Sequence, residues 1–448
     1  MGSYLPHTQA EVKAMLEAIG VKSIDDLFAE IPAELRLNRP LNLPAGLSES
    51  ETVDEMYEMA GGNYGTTEML SFLGAGIYDH YIPAAINHLL LRGDFFTAYT
   101  PYQAEISQGT LQAIYEYQSL ICGLTGMDVS NASMYEAGTA LVEAINMAKA
   151  QTGRSRVILP ETVHPEYRRV AKTINTQMGI ELVSAPSEDG VTDLAKLSEM
   201  VDDSTAAIVA GYPNFFGSVE DLEALANMAH NAGALLIVTA DPIALGMLTA
   251  PGDLGADIVC GEGQSLGIPM SFGGPSLGFM ACKEALLRKV PGRITGATCD
   301  KSGRRGFVLT LQAREQHIRR EKAGSNICSN QALMALNATI YMSLLGREGI
   351  RDVANQGFQK AHHLKKELAA KVPAVSFPFA APFLHEFVIK VPNAKKLLGK
   401  MVKQGVLGGV LLERWYPNLK DHLLVAVTEK RTAEELDFFC ELLGGLTK

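Results

Sequence analysis

The sequence predicts an α/β protein with a large domain built on a mostly parallel β-sheet, followed by a small α+β domain. Three observations predict this architecture. Short, continuous apolar runs recur along the middle of the chain, helical segments separate most of them, and the pattern changes after about residue 330 to longer helices with a few strands. Continuous apolar strands that alternate with helices are typical of a parallel sheet covered on both faces.

The first 60 residues predict a helical arm. Thr8 and Glu11 have the spacing of a capping box, which opens an amphipathic helix that runs to about Ile19. Residues 20–50 contain three prolines and few periodic segments. This composition is typical of a segment that lies over another surface.

The predicted large domain covers residues 61–329. Helical spacing of apolar residues predicts helices over 108–123, 138–152 and 219–231. The apolar runs predict strands over 157–159, 180–185, 206–210, 235–239 and 258–260.

The predicted small domain covers residues 330–448. Its helices are expected over 330–345, 353–372, 394–404 and 433–443, and its strands over 386–391, 406–412 and 422–427.

Composition excludes several classes of protein. The 448 residues are 47% hydrophobic and 20% charged, which indicates a globular chain rather than a disordered one. A formal net charge of −11 argues against a nucleic-acid coat or a binder of anionic membranes. The start of the chain lacks a secretory pattern, and the apolar stretches are too short to span a membrane. Six scattered cysteines form no C-x-x-C pair, so we expect reduced thiols, a cytoplasmic location and no metal.

One short motif suggests a serine hydrolase. Gly263, Ser265 and Gly267 match the G-x-S-x-G turn that presents a nucleophilic serine after a strand. A hydrolase needs this turn to lead into a helix, and the residues 268–275 that follow are poorly suited to begin one. A hydrolase that uses Ser265 therefore stays an alternative.

A second constellation accounts for more residues. Glu136, Gly138 and Thr139 stand at the start of a helix, where backbone amides and a hydroxyl can bind a phosphate. His164 follows a strand and can stack on a planar ring, and Asp241 ends a strand, where a carboxylate can pair with a protonated ring nitrogen. This order is similar to that of pyridoxal-phosphate enzymes of the aspartate aminotransferase fold, fold type I.

Such enzymes need a lysine one strand beyond the aspartate to form a Schiff base. The sequence has no lysine between Lys196 and Lys283, and Gln264 stands at the expected place. A glutamine side chain does not form a Schiff base. The alternative of a displaced lysine, Lys283, puts the amine 19 residues further along the chain.

Long blocks of sequence make the resemblance specific. The chain resembles the glycine cleavage system P-protein (glycine decarboxylase) family over essentially its whole length, and more closely the first, alpha, subunit of the split form. The blocks that carry the resemblance are residues 72–80, 97–109, 131–140, 303–312, 314–322 and 325–331.

The resemblance implies a function and a set of partners. The family decarboxylates glycine on pyridoxal phosphate and transfers the aminomethyl group to the lipoyl arm of H-protein. In the split form the lysine and cofactor are on a second, catalytic subunit, which implies an α2β2 assembly whose alpha subunit is not active alone. Gln264, with Pro269 five positions later, matches the family's lysine position. The pocket residues then become vestiges of a cofactor site: Glu136, Gly138, Thr139, His164, Asp241 and Gln264.

Two surfaces are candidates for contact with partners. A loop is expected to reach the catalytic subunit's site with Tyr99, Tyr102, Gln103, Glu105, Ser107 and Gln108, or else merely to pack the interface. A basic stretch is expected to face H-protein or a carboxylate, or else to form a solvated face or intersubunit ion pairs. It contains Arg304, Arg305, Arg314, Arg319, Arg320 and Lys322. A purely structural or regulatory subunit stays a third reading of the whole chain.

Overall fold

A computed structural model describes residues 6–327 and 329–447. Cys328, one of the six cysteines, lies outside the described residues. The chain divides into two compact units, one that ends at Tyr64 and one that begins at Gly65.

The α-helices have the following bounds: α1 Gln9–Ile19, α2 Glu49–Gly61, α3 Ala84–Leu90, α4 Gly93–Phe96, α5 Gln108–Thr125, α6 Ala137–Thr152, α7 Pro165–Asn175, α8 Leu194–Met200, α9 Leu222–Asn231, α10 Gln316–Arg319, α11 Ala332–Lys371, α12 Ala394–Val402 and α13 Ala433–Leu446.

The strands have the following bounds: β1 Leu70–Ser71, β2 Val129–Ser130, β3 Arg156–Ile158, β4 Glu181–Val183, β5 Ser187–Glu188, β6 Val191–Thr192, β7 Thr205–Tyr212, β8 Leu235–Ala240, β9 Ile258–Glu262, β10 Gly278–Cys282, β11 Ile294–Cys299, β12 Arg305–Thr310, β13 Glu386–Lys390, β14 Val406–Leu407, β15 Val410–Leu411 and β16 His422–Ala426.

The first unit contains α1 and α2 and no buried residue in either helix. The predicted capping box opens α1. The Thr8 side chain accepts a hydrogen bond from the Glu11 amide, and the Glu11 carboxylate accepts one from the Thr8 amide. The predicted first helix is therefore confirmed to the residue at its end, Ile19.

A seven-stranded sheet forms the centre of the second unit, in the order β2-β10-β9-β8-β7-β3-β4. The strands from β9 to β4 are parallel, and β10 is antiparallel to both of its neighbours. One apolar core on one face includes residues of α5, α9 and the first part of α11. Another core includes residues of α6 and α7. The mostly parallel sheet that the apolar runs predict is confirmed.

The C-terminal part forms a smaller core around the antiparallel sheet β13-β16-β15. The second part of α11 and helix α13 cover it. An earlier segment also joins this core, because β1 pairs in parallel with β14 and the Phe72 ring lies 4.2 Å from the Phe439 ring. Helix α11 thus belongs to both cores. The domain limits at residues 60 and 330 stay a prediction.

The structure differs from the predicted elements at three places. The two helices expected over 330–345 and 353–372 are both present as the two parts of α11, but they meet directly at a kink at Gly346, with φ 59° and ψ −171°, so no loop separates them. The strand expected over 406–412 is interrupted at Gly408 and Gly409. The hairpin of β11 and β12 was not predicted, because most of its side chains are at least partly exposed and give no apolar run.

The packing of the C-terminal part on the central sheet generates a stability prediction at Gly217. A Cβ atom there would collide with the carbonyl oxygen of Glu386, and Gly217 has φ +82°. Gly303 has a similar φ of +78°, but a Cβ atom added there would meet no other atom within 4 Å. Alanine at Gly303 therefore measures the energetic cost of the left-handed backbone alone.

We expect Gly303→Ala to lower the free energy of unfolding by about 1–2 kcal/mol, the cost of left-handed backbone for alanine. Gly217→Ala should cost about 1–3 kcal/mol more, because the chain must shift to relieve the collision. Chemical denaturation of both variants measures the difference. Equal losses would contradict the close packing of Gly217 on Glu386.

Candidate functional site

A cavity of about 60 Å³ lies at the carboxyl ends of β7, β8 and β9. Asp241 follows β8 directly, Glu262 ends β9, and His164 precedes α7; all three line the cavity. Ligands of open α/β sheets bind at this edge. Two of the six predicted pocket residues, His164 and Asp241, therefore line one cavity at this edge, whereas Glu136, Gly138, Thr139 and Gln264 do not line it.

The amides that begin α6 are already bonded within the chain. The Glu136 carboxylate accepts hydrogen bonds from the amides of Gly138 and Thr139, the second at 2.8 Å. The Glu262 carboxylate accepts one from the Ala137 amide at 3.3 Å. Two carboxylates thus take the donors that the sequence assigned to a phosphate.

Glu262 lines the candidate site, although the sequence pattern did not single it out. Its carboxylate also accepts bonds from the Gln264 and Leu277 amides, both at 3.1 Å, and from the Ser276 hydroxyl. Burial raises the pKa of Glu262. The available signal was its place two residues before Gln264, within Gly-Glu-Gly-Gln.

Gln264 is buried and its side chain is fully engaged. Its Oε1 accepts a hydrogen bond from the Tyr78 amide at 3.0 Å, and its Nε2 donates to the carbonyls of Tyr78 at 3.2 Å and Ile268 at 2.7 Å. A buried side-chain amide with its partners satisfied is a structural contact. The residue at the lysine position therefore holds the backbone of the segment 72–80.

His164 stacks on a ring of the chain itself. Its ring lies 4.1 Å from the Tyr167 ring at an interplanar angle of 18°. Its Nε2 lies 2.8 Å from the Ala75 carbonyl oxygen, and its Nδ1 accepts a bond from the Glu166 amide. Burial lowers the pKa of His164 to about 4, so Nε2 carries the proton that it donates to Ala75. One face of the predicted stacking residue is thus occupied by Tyr167, while His164 still lines the cavity.

The segment 72–80 is bonded to the C-terminal part. The Tyr78 hydroxyl donates to Glu386 at 2.9 Å and the Ala75 amide donates to the same carboxylate at 2.7 Å. Burial raises the pKa of Glu386 to about 7. The next residues are held as well, since His80 lies 2.7 Å from a Glu429 oxygen and Asp79 pairs with Lys430 and Arg431.

These contacts leave little space for a cofactor. An apolar cavity of about 150 Å³ holds one benzene molecule, and the cavity here is about 60 Å³. The carboxylates of Glu136 and Glu262 would also oppose a phosphate at α6. The residues present at this edge of the sheet do not fit pyridoxal phosphate.

Neither alternative catalytic residue is supported by its surroundings. The Ser265 hydroxyl lies 3.5 Å from Asp241 Oδ1, and turns rather than a helix follow it. A carboxylate in place of histidine does not match the nucleophile–base pair of a serine hydrolase. The Lys283 amine binds Asp257 at 2.9 Å, after antiparallel β10 and therefore at the opposite edge of the sheet.

The loop 97–109 exposes several of its predicted contact residues. Tyr99 is 87% exposed, and Tyr102, Gln103 and Glu105 are also exposed. Ser107 is partly buried directly before α5. Gln108 is different, because its side-chain amide accepts from the Phe307 amide and donates to the Phe307 carbonyl, both at 2.8 Å. Gln108 therefore fixes α5 to β12.

The basic stretch divides into bonded and exposed side chains. Arg304 pairs with Asp300 at 2.8 Å, and Arg305 lies over the rings of Tyr115 and Phe307. The Arg314 guanidinium donates to the Val290 and Gly292 carbonyls, and burial lowers its pKa. Arg304 and Arg305 are exposed despite these contacts, and three further side chains are exposed without them: Arg319, Arg320 and Lys322.

Metal-ligating clusters and membrane-spanning helices are both lacking in the described part of the chain. Within residues 6–327 and 329–447, no group of three or more His, Cys, Asp or Glu side chains is arranged to hold a metal ion. Among the helices of the same ranges, none is both long enough and apolar enough to cross a bilayer.

Solved structures support the fold and its relationships. A crystal structure of glycine decarboxylase (P-protein) of the glycine cleavage system, in inhibitor-bound form, superposes with a TM-score of 0.91 at 43% identity, over 99% of this chain and 100% of that one. Glutamate decarboxylase of Lactobacillus brevis has a TM-score of 0.69 at 13% identity, over 93% and 96% of the two chains, and shares the fold alone. The predicted fold type I architecture is confirmed.

Sequence relatives cover the same length. A probable glycine dehydrogenase (decarboxylating) subunit 1 of Desulforamulus reducens is 54% identical over 445 residues, 99% of this chain and 100% of the relative. Its counterpart in Carboxydothermus hydrogenoformans is 52% identical over 442 residues, 99% of both chains. A family model described as glycine cleavage system P-protein matches residues 2–443. As the resemblance predicted, this chain belongs to the glycine cleavage system P-protein family.

Proposed function

We propose that this chain is the alpha subunit of a split glycine decarboxylase and carries no cofactor of its own. The observation that carries the proposal concerns the position where the family has its lysine. Gln264 stands at that position, and its side chain is hydrogen-bonded to Tyr78 and Ile268. The relatives named glycine dehydrogenase (decarboxylating) subunit 1 support the assignment to the first subunit.

In this proposal the chemistry takes place on a second subunit. That subunit supplies the lysine and pyridoxal phosphate, on which glycine loses carbon dioxide before the aminomethyl group passes to the lipoyl arm of H-protein. We propose an α2β2 assembly in the cytoplasm. The described cysteines are free thiols, which supports that compartment.

The alpha subunit would complete the partner's site with the loop 97–109. Tyr99 is the strongest candidate, because a side chain so exposed contributes almost nothing to the packing of its own chain. Gln103 and Glu105, exposed nearby, would offer polar contacts. We do not propose this role for Gln108, because its side-chain amide is hydrogen-bonded to the backbone of Phe307.

The basic stretch would face H-protein or a carboxylate with its exposed members. Arg319, Arg320 and Lys322 are the candidates for this surface. We do not propose a partner contact for Arg314, because its guanidinium donates hydrogen bonds to backbone carbonyls of its own chain.

A lysine restored at position 264 tests the state of the pocket. We expect Gln264→Lys, incubated with pyridoxal phosphate and then borohydride, to give no covalent adduct at residue 264, because Glu136 and Glu262 still hold the α6 amides. The variant should also lose about 1–3 kcal/mol of unfolding free energy, since the Tyr78 amide loses its buried acceptor.

The control is Gln404→Lys at an exposed glutamine, which should keep the stability of the parent. Peptide mapping by mass spectrometry measures the adduct, and chemical denaturation measures stability. An adduct at residue 264 would mean that the pocket is still competent for the cofactor.

The loop is tested in the assembled enzyme. We expect Tyr99→Ala to leave folding and subunit association intact and to reduce bicarbonate–glycine exchange about tenfold, which corresponds to a loss of about 1.4 kcal/mol of transition-state stabilisation. Sedimentation measures the assembly and isotope exchange measures the activity.

Phe438→Ala, a partly exposed aromatic residue on α13, serves as the matched control and should retain full exchange. Full exchange by the Tyr99 variant in an intact assembly would instead favour a structural or regulatory role for the loop.

A further inference from the structure

A second cavity lies apart from the pocket at the strand ends and shares none of its lining residues. It has a volume of about 180 Å³ and lies between the segment 95–101, helix α5 and the start of α11. Its walls are mostly apolar, with side chains such as Phe95, Pro101, Ile114 and Leu336. Since about 150 Å³ of apolar space holds a benzene molecule, this cavity has room for one small organic molecule.

An arginine without an acidic partner lines this cavity. Arg293 is 6% exposed, and no carboxylate of the described residues forms an ion pair with it. Its Nη1 has one long contact, 3.4 Å to the Asn330 side chain, and its Nε finds no acceptor among those residues. A buried charge without a counter-charge is unfavourable, so an anion bound next to Arg293 would be stabilised.

A second donor lines the same cavity. Tyr117 is 1% exposed and its hydroxyl has no hydrogen-bond partner in the described chain. Burial raises the pKa of the Tyr117 phenol, so the group keeps its proton and offers an O–H donor. Two unsatisfied buried donors in a mostly apolar cavity are typical of a ligand site, where a few polar groups fix the orientation of an apolar body.

We propose that this cavity binds a small monocarboxylate with a compact apolar body, its carboxylate on Arg293 and Tyr117. A guanidinium binds a planar carboxylate through two parallel hydrogen bonds. The apolar walls suit the remainder of such a molecule, whereas a free phosphate would place more oxygens against them than the two donors satisfy. This inference concerns the isolated chain, and it shares Tyr99 of the loop 97–109 with the proposed function, because Tyr99 also lines the cavity.

Calorimetry on the full chain with benzoate and benzamide tests the proposal. The two molecules have nearly the same shape and differ in charge. We expect benzoate to bind about tenfold or more tightly than benzamide, because only benzoate offers charge-assisted acceptors to Arg293. Equal affinity, no binding of benzoate, or tighter binding of inorganic phosphate would each overturn the proposal.

Two variants assign the contacts. Arg293→Met should reduce benzoate affinity about tenfold or more and abolish the preference over benzamide, and Tyr117→Phe should reduce it about fivefold. Arg288→Met, at an exposed arginine outside this cavity, is the matched control and should bind as the parent does. Benzoate binding unchanged in both cavity variants, with their folding verified by circular dichroism, would place the ligand elsewhere.

A carboxylate side chain of the partner subunit is the competing occupant. Titration of benzoate into the assembled enzyme separates the two sources. We expect the assembly to retain benzoate binding. Loss of benzoate binding on assembly would indicate that a carboxylate side chain of the partner subunit pairs with Arg293, and it would overturn the small-molecule site. Glycine exchange by the same assembly reports on the proposed function separately.

Discussion

The side-chain amide of Gln264 is the contact on which the organisation of this site depends. It satisfies both the N–H and the C=O of Tyr78 and also binds the Ile268 carbonyl, so one buried group joins the end of β9 to the segment 72–80. Tyr78 extends the connection through its hydroxyl to Glu386 at the start of β13. A lysine amine offers donors only and could not accept the bond from the Tyr78 amide. Gln264, whose side chain does not form a Schiff base, therefore also helps to connect the central sheet, through Tyr78, to the C-terminal part.

The charges at the carboxyl ends of the strands are also unfavourable for binding the phosphate of a cofactor. A fold type I pocket needs free amides and positive potential for a phosphate, and here Glu136 and Glu262 place carboxylates on those amides. His164 gives its ring face to Tyr167 and its Nε2 proton to Ala75. Each hydrogen-bond donor that the sequence assigned to a cofactor has a partner within the chain, whereas the Oδ2 atom of Asp241 is buried without a hydrogen bond.

The features that were predictable from sequence are those with a local signal. The buried strands β7 and β8 are continuous apolar runs, and the capping box at Thr8 is a spacing rule. Glu262 and the bonds of Gln264 were not predictable, because they depend on which segments meet in space. The same holds for β1, a two-residue strand that pairs with β14 more than 300 positions along the chain.

Tyr102 links the two functional proposals physically. It lies on the loop proposed to reach the partner subunit, and its ring is 5.6 Å from the Arg293 guanidinium that lines the second cavity. Tyr99 also lines that cavity while most of its side chain faces solvent. A ligand that draws Arg293 toward its carboxylate would alter the support of the loop, and a partner that fixes the loop would alter the cavity. Linkage makes such coupling reciprocal, so any effect of a carboxylate on subunit association must equal the effect of association on the affinity for that carboxylate.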